Sequence, residues 1–357
     1  MATLKELSDR TGYSPATISR ILSGDPSLSV SPDTRHKVLH EAGRLNYSAT
    51  RSRRGRTPKG ALRIGIAEML TPAQQLEDPY YLYLSGFFRQ GCLDKKYTYL
   101  SLDPRGQGFA PPEGERLDAI AAIGLFTPAQ IESMAALCPN LIFLDSSPFE
   151  SRFDSVVPGY ELGISLALEH LIGLGHRHIG FIGPTYKLDD RRQHAPEVRR
   201  QLFLQQMQQR QLLNHSFLLD CPMEVAATAL AVNEFLRADT PLPTAFLCAN
   251  EENAIGAVRA LTQAGLSVPE QLSVVSFNDT PRSALVDPPL TSISTHVEEM
   301  AATALLLLNQ RTRPPDRAPG RTIPLKVVVP PALVARQSSG PAPTGAPDGV
   351  SDTRPFK

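Results

Sequence analysis

The chain has 357 residues, 41% of them hydrophobic and 20% charged; this excludes wholesale disorder and leaves room for two or three domains. No apolar run reaches the roughly 18 residues of a membrane helix, and the polar, amphipathic start MATLKELSDR is unlike a secretory signal. Four widely spaced cysteines without a CxxC, Cys92, Cys138, Cys221 and Cys248, suit free thiols in the cytoplasm and argue against a disulfide framework or zinc ribbon. The net charge of zero is unevenly spread: residues 1–60 hold 11 Lys and Arg against 5 Asp and Glu, and the other 297 hold 25 against 31. A basic head of +6 on an acidic body of −6 suggests a polyanion-binding module joined to something else.

In chain order, Thr3 followed by Glu6 has the form of a capping box, so a helix starts near Leu4 and runs to Gly12, a left-handed turn residue. Ser14 and Pro15 start a second helix, with Ile18, Ile21 and Leu22 facing inward. Ser31 and Pro32 start a third, whose stripe is Val38, Leu39, Ala42 and Leu45. Two short helices joined by a tight glycine turn and braced by a third form a helix-turn-helix, whose second helix enters the major groove of DNA. Its leading residues are Pro15, Ala16, Thr17, Ser19 and Arg20; Arg20 is the long donor suited to guanine, and Ala16 suits a thymine methyl. Thr3, Ser14, Thr17 and Ser19 are placed for phosphate contacts. In 46–60, Arg51, Arg53, Arg54, Arg56 and Lys59 repel one another, so this segment reads as a hinge that orders on DNA, or as a solvated linker.

From residue 62 short apolar runs alternate with amphipathic stretches. Strands are expected at 63–67, 98–102, 119–124, 141–144, 155–157, 178–182, 245–248, 273–276 and 326–329. Helices are expected at 80–94, 128–137, 161–173, 198–211, 223–237, 253–264 and 297–309. The alternation implies parallel sheets covered on both faces. Nine strands exceed one simple sheet, so the body reads as two similar α/β lobes with a ligand in the cleft between them. The Gly-, Pro- and Ser-rich end, from 336 or 337 to 357, reads as a disordered tail, and it has no leucine heptad for tetramer formation.

The stretches LKELSDRTGYSPATISRILSGD, VSPDTRHKVLHEAGRLNY, EHLIGLGHRHIGFIGP, AFLCANEENAIGAVRALTQAGLSVPEQLSVVSFND and PPLTSIS occur in an order that resembles the LacI/GalR family of transcriptional regulators, over about residues 2 to 335. Within that family, DPYYL at 78–82, FND at 277–279 and THVEEM at 295–300 are most similar to repressors of galactose operons and of the evolved β-galactosidase operon. The resemblance implies an all-α helix-turn-helix head (1–46), a hinge (47–60), and a two-lobed periplasmic-binding-protein-like α/β core with parallel sheets (61–335). It also implies a cytoplasmic, nucleoid-associated homodimer without enzymatic activity or cofactor, bound to a double-stranded, pseudo-palindromic operator and released by a small sugar, a galactoside in this branch.

Carried over position by position, the resemblance implies sugar contacts from Asp145, Arg199, Asn250, Asn278 and Phe277, with Tyr80 beside them. The chemistry suits hydroxyl recognition: a carboxylate accepts two hydroxyls, a guanidinium fork spans a vicinal pair, and an amide donates and accepts. The same residues have plainer readings. Asp145 and Asn278 can also be read as strand-end turn residues, Arg199 as a surface partner of Glu197 or Asp190, and Tyr80 and Tyr81 as packing at a helix start. The chain departs from the family pattern where the hinge leucine gives way to Gly55 and Arg56, and where Asn278, Pro158 and Glu251 replace acidic residues; arginine insertion then stands in for an apolar wedge. His176 and His178 flank a turn into a strand, where turn and capping roles outrank metal binding. No GxGxxG, Walker or GxSxG motif supports an enzyme. A transport-binding protein is opposed by the basic head, and a corepressor such as a purine or phosphosugar is the alternative to an inducing sugar.

Overall fold

A computed structural model describes residues 4–22, 30, 31, 34, 37, 38, 61–112, 115–238, 240–312 and 320–343. The expectations for Thr3, for Arg51, Arg53, Arg54 and Arg56 and for the hinge at 47–60 lie outside these residues, as do those for Leu39, Ala42, Leu45 and the tail beyond 343. The side chains of Ala16 and Ser19 lie outside the described set too. The chain divides into two compact units, Met1–Lys59 and Gly60–Lys357.

In the first unit, helix α1 is Leu4–Thr11 and α2 is Pro15–Leu22. Gly12 between them has φ +79°, the left-handed turn a side chain would resist. The Ser14 hydroxyl accepts the Thr17 N–H at 3.1 Å, and Ser31 accepts that of Thr34 at 3.2 Å, so both cap-and-proline signals operate as caps. Thr34, Lys37 and Val38 are helical. Leu7, Ile18, Ile21 and Val38 are buried together, with Tyr13 and Val30 packed against them.

The second unit begins with β1 (Arg63–Glu68), α3 (Pro72–Glu77), α4 (Pro79–Asp94) and β2 (Thr98–Ser101). A small hairpin follows, β3 (Asp103–Arg105) and β4 (Gly108–Ala110), then β5 (Ala119–Ile123), α5 (Pro128–Leu137), β6 (Leu141–Leu144) and β7 (Asp154–Pro158). The tetrapeptide Thr-Pro-Ala-Gln opens both α3 and α5. In each the threonine and glutamine form a reciprocal capping box, with proline at the first helical position.

The chain then enters a second lobe: α6 (Tyr160–Gly173), β8 (Ile179–Ile182), a hairpin of β9 (Tyr186–Leu188) and β10 (His194–Pro196), and α7 (Val198–Gln209). After it come β11 (Leu218–Leu219), α8 (Val225–Arg237), β12 (Ala245–Cys248), α9 (Glu251–Gln263), β13 (Ser273–Asn278) and β14 (Thr291–Ser294). Helix α10 (Val297–Arg311) returns to the first lobe, where β15 (Lys326–Val329) adds a strand, and β16 (Ala332–Val334) ends in the second.

The first sheet has the order β15-β7-β6-β5-β1-β2 and is parallel throughout. The second has the order β11-β8-β12-β13-β14-β16, parallel except for the last pair. Central strands such as β5, β6, β8 and β12 are buried at every position, as parallel sheets between helical layers require. The chain passes between lobes at 158–160, 294–297 and 329–332.

One expectation is corrected. Residues 336–343, read as the start of a disordered tail, are built into the second lobe. The Ser338 hydroxyl, fully buried, donates to the Val274 carbonyl (2.6 Å) and accepts the Thr291 N–H (2.8 Å). The Gly340 carbonyl meets the His176 ring (3.0 Å), and the Ala342 N–H reaches the Leu174 carbonyl (2.9 Å). Composition points to a disordered end, but here serine hydroxyls and backbone groups of an irregular segment lie against β13 and β14 and satisfy their backbone. Among the described residues no helix is long and apolar enough to cross a membrane, and no group of His, Cys, Asp or Glu is placed to hold a metal ion.

Candidate effector site between the lobes

Asp145 follows β6 and adopts φ +67°, a strained position for an L residue. That carboxylate is 9% exposed and accepts three phenol hydroxyls: Tyr81 at 2.7 Å, Tyr80 at 3.0 Å and Tyr160 at 3.3 Å. Tyr80 and Tyr81 come from the first turn of α4 in the first lobe, and Tyr160 opens α6 in the second. Burial, then the neighbouring Asp145 charge, pushes all three phenols well above their ordinary ionisation range, so they are neutral donors.

Arg199, near the start of α7, is 4% exposed and ion-paired through Nε to Glu197 at 2.8 Å. Its guanidinium lies over the rings of Tyr160 (5.4 Å) and Phe277 (5.8 Å). The sequence offered Glu197 as a partner on the surface, but the pair is buried. Burial works to raise the Glu197 carboxyl; Arg199 and Lys187 outweigh it and hold the carboxyl below its usual range. Phe277 is fully buried, and a Cβ on Gly163 would come 2.6 Å from its ring. It is a packing wall under Arg199 and Tyr160 rather than an open sugar platform.

Asn250 caps α9, its side chain accepting the Asn253 N–H at 2.9 Å and donating to Glu252 at 3.0 Å. Asn278 has φ +99°, and among the described residues its amide makes no hydrogen bond. Its loop is pinned by neighbours: the buried Glu251 takes the N–H and hydroxyl of Thr280 (2.9 and 2.6 Å), and Asp279 pairs with Arg336 at 2.6 Å. Tyr80, Asp145, Arg199 and Phe277 thus form one connected set through Tyr160, while Asn250 is committed to its helix end. In the first unit the Ser14 hydroxyl oxygen caps α2, and Arg20 is exposed on the same helix.

Several residues of this site had little signal in the sequence. Tyr160 continues the hydroxyl pattern of the adjacent Tyr80 and Tyr81, but only the fold brings it to Asp145. Lys187, on β9, faces the same cluster; burial and the Arg199 charge lower its ammonium's ionisation range, while Glu197, Asp145 and Asp78 support its charge. Asp78 keeps one buried oxygen without a hydrogen-bond partner, and burial, with Asp145 close by, raises its carboxyl. Glu252 is raised to about 7, first by burial and then by Asp78. Beside this cluster lies a cavity of about 760 Å³ between the lobes, bounded by six carboxylates, including Asp145 and Glu197, and three cations, Lys187, Arg191 and Lys326.

Residues 168–339 match the model of a periplasmic binding protein-like domain. The HTH-type transcriptional repressor MelR of Bacillus subtilis is 30% identical over 95% of this chain and 98% of its own length. The regulator GanR of the same organism is 30% identical over 88% and 93%. GalR of Streptococcus thermophilus is 28% identical over 90% and 96%. Among solved structures, a CelR–cellobiose complex aligns with TM-score 0.63 at 19% identity, over 95% of this chain and all of that one. The lac repressor dimer bound to operator and an anti-inducer aligns with TM-score 0.60 at 23% identity, over 95% and 99%. The near full-length match to MelR, together with the head of short helices and the two-lobed parallel core, establishes that the chain belongs to the LacI family of helix-turn-helix transcriptional regulators.

Proposed function

We propose that the protein is a transcriptional repressor whose dimer binds an operator through its basic heads and is released when a neutral sugar, of galactoside type, enters the cleft between its lobes. The observation that carries this reading is the Asp145 carboxylate ringed by hydroxyls from both lobes. Those phenols stand where vicinal sugar hydroxyls would make the same hydrogen bonds, and Arg199 and Lys187 sit close enough to bind others. A ligand exchanging with Tyr160 at Asp145 would alter the contact at the 158–160 crossing and so favour one lobe arrangement over another. Coupling to the head is reciprocal: the sugar weakens operator binding by the factor by which operator weakens sugar binding. The acid-rich cavity lining, six carboxylates against three cations, disfavours a phosphosugar corepressor.

In the head, Arg20 is assigned to base recognition, and Thr3, Ser14, Thr17 and Ser19 to the phosphates. Pro15 and Ala16 lie against the bases, while Arg51, Arg53, Arg54 and Arg56 enter or flank the minor groove. The test is fluorescence anisotropy on DNA from upstream of the gene at fixed salt, with galactose, lactose, other β-galactosides and glucose added in turn. Tight binding released by a galactoside is expected. Arg199→Ala should bind operator normally and ignore the sugar, and Arg20→Ala should lose discrimination between operator and random DNA. Binding that appears only on adding ligand, or an Arg199→Ala protein released at wild-type sugar concentrations, would overturn the assignment.

A further inference from the structure

The β9–β10 hairpin leaves the second lobe between β8 and α7 and reaches across to the first lobe. Its base adjoins the effector site: the Glu197 N–H donates to the Thr185 carbonyl at 3.0 Å, and the Glu197 carboxylate pairs with Arg199. The rings of Tyr186 and His194 stack across its two strands with centres 4.7 Å apart. Its turn is closed by the Asp189 carboxylate, which accepts the N–H groups of both Arg191 and Gln193 at 2.8 Å. At the tip, Asp190 accepts the N–H of Ser147 in the first lobe at 3.1 Å. The Arg191 guanidinium lies 4.7 Å from the centre of the Phe149 ring, and Arg152 of the first lobe lies 5.6 Å from the same ring. Both sides of this contact are strained, with φ +53° at Phe149 and +56° at Arg192. A bulky residue keeps such a left-handed backbone only where its surroundings impose it, and such strain gathers at clamps and switches.

We propose that the hairpin is a latch between the lobes, whose tip holds the operator-binding arrangement until an effector at its base draws it away. That the effector is the agent of release rests on the sugar-sensing reading above; the latch itself does not. The hairpin is a short ribbon with one end beside Arg199 and Glu197 and the other against Ser147 and Phe149. Its turn is tied internally, so a displacement at the base is passed to the tip instead of being absorbed between them. Asp190 and Arg191 are exposed, so each contact exchanges readily with water and holds the lobes weakly. A switch needs that weakness, because a latch worth more than the ligand's preference between arrangements could never be opened. Opening also lets Phe149 and Arg192 leave their strained conformations, which offsets part of what the contacts contribute. The bias acts on both ligands: loosening the latch weakens operator binding and favours sugar by the same factor.

The test uses two double variants of the full-length protein, read by fluorescence anisotropy on DNA from upstream of the gene. Asp190→Ala with Arg191→Ala should weaken operator binding about fivefold and lower the releasing sugar concentration by the same factor. Ser147→Cys with Asp190→Cys lets an oxidant join the tip to the first lobe, while the four native cysteines are buried. The oxidised protein should bind operator and resist release by galactose, lactose, other β-galactosides and glucose, and a reductant should restore release. An operator affinity within about twofold of wild type in the alanine variant overturns the latch. So does an oxidised protein released at the same sugar concentration as the reduced one, or a pair of introduced thiols that the oxidant does not join. If no sugar releases the wild type, the sugar-sensing reading fails, and the operator affinity of the alanine variant still decides the latch.

Discussion

Asp154 joins three parts of the chain far apart in sequence. Its fully buried carboxylate accepts the Arg311 Nε at 2.7 Å, the Arg321 Nη1 and Nη2 at 2.8 and 2.6 Å, and the Leu325 N–H at 2.7 Å. These bonds tie the end of α10 and the segment before β15 to the start of β7. Burial alone would raise the Asp154 carboxyl, but the Arg321 and Leu325 donors and Arg311 outweigh it and hold the group below its ordinary range. Replacing it with alanine leaves two guanidinium groups, 10% and 18% exposed, without their counter-charge. Breaking a buried pair on one side costs about 3–5 kcal/mol. For a domain of this size that lowers the midpoint by roughly 5–10 °C. The sign with pH follows from the lowered carboxyl. Its stabilisation is present above the unfolded-chain value near 3.8 and fades as pH falls through the lower folded value. Thermal melts of wild type and Asp154→Ala, followed by far-UV circular dichroism, should differ fully at pH 7 and converge as the pH falls below 3.8. Melts that differ by less than about 1 kcal/mol at pH 7, below even the low end of the expected loss, would refute the reasoning.

Three further outcomes follow from the packing. Glu252, raised to about 7 from an ordinary 4.5, contributes stability that is complete below pH 4.5 and lost as pH rises through 7; Glu252→Gln should flatten that part of a pH–melting profile, and an unchanged slope would place the proton elsewhere. A Cβ on Gly256 would come 2.5 Å from the Val225 carbonyl oxygen where α9 meets α8. Since backbone cannot rotate aside, Gly256→Ala should cost about 1–3 kcal/mol in urea unfolding. Ser338→Ala should cost a similar amount, roughly 1–3 kcal/mol, by orphaning the buried Thr291 N–H and Val274 carbonyl; a neutral result would mean that water replaces the hydroxyl.

The elements readable from sequence are those whose cause is local. Ser14-Pro15 and Thr127-Pro128 announce helix starts because a short hydroxyl side chain and a proline act within one turn; the same signal at Thr71-Pro72 opens α3, which the expected elements do not include. Runs such as Leu141–Leu144 announce buried strands because every position is apolar. The strand β14, Thr291–Ser294, carries three hydroxyls in four residues and lies outside the expected strands; it is a strand because β13 and β16 flank it. The site divides in the same way. Asp145 and Arg199 follow from the family pattern, but the Tyr160 hydroxyl meets Asp145 only through a crossing between lobes, and Lys187 is one lysine in a polar stretch until β9 pairs with β10. Asn250 shows the reverse: its residue type suits ligand recognition and capping equally, and local geometry commits it to the cap.

The three crossings between lobes bear on how the protein is made. Strand β7 pairs on its outer side with β15, and the Asp154–Leu325 contact spans 171 residues. Until residue 311 has been made the first lobe lacks α10, which fills its core, and until residue 329 it also lacks the strand that covers the edge of β7. The second lobe waits in turn for β16 and Ser338 to complete β14 and β13. A nascent chain therefore carries two unfinished sheets at once, and neither lobe can close by folding in order of synthesis. Contacts of such long range make folding slow, so the interval between synthesis and closure is when the unpaired edges of both sheets lie open to pairing with another chain.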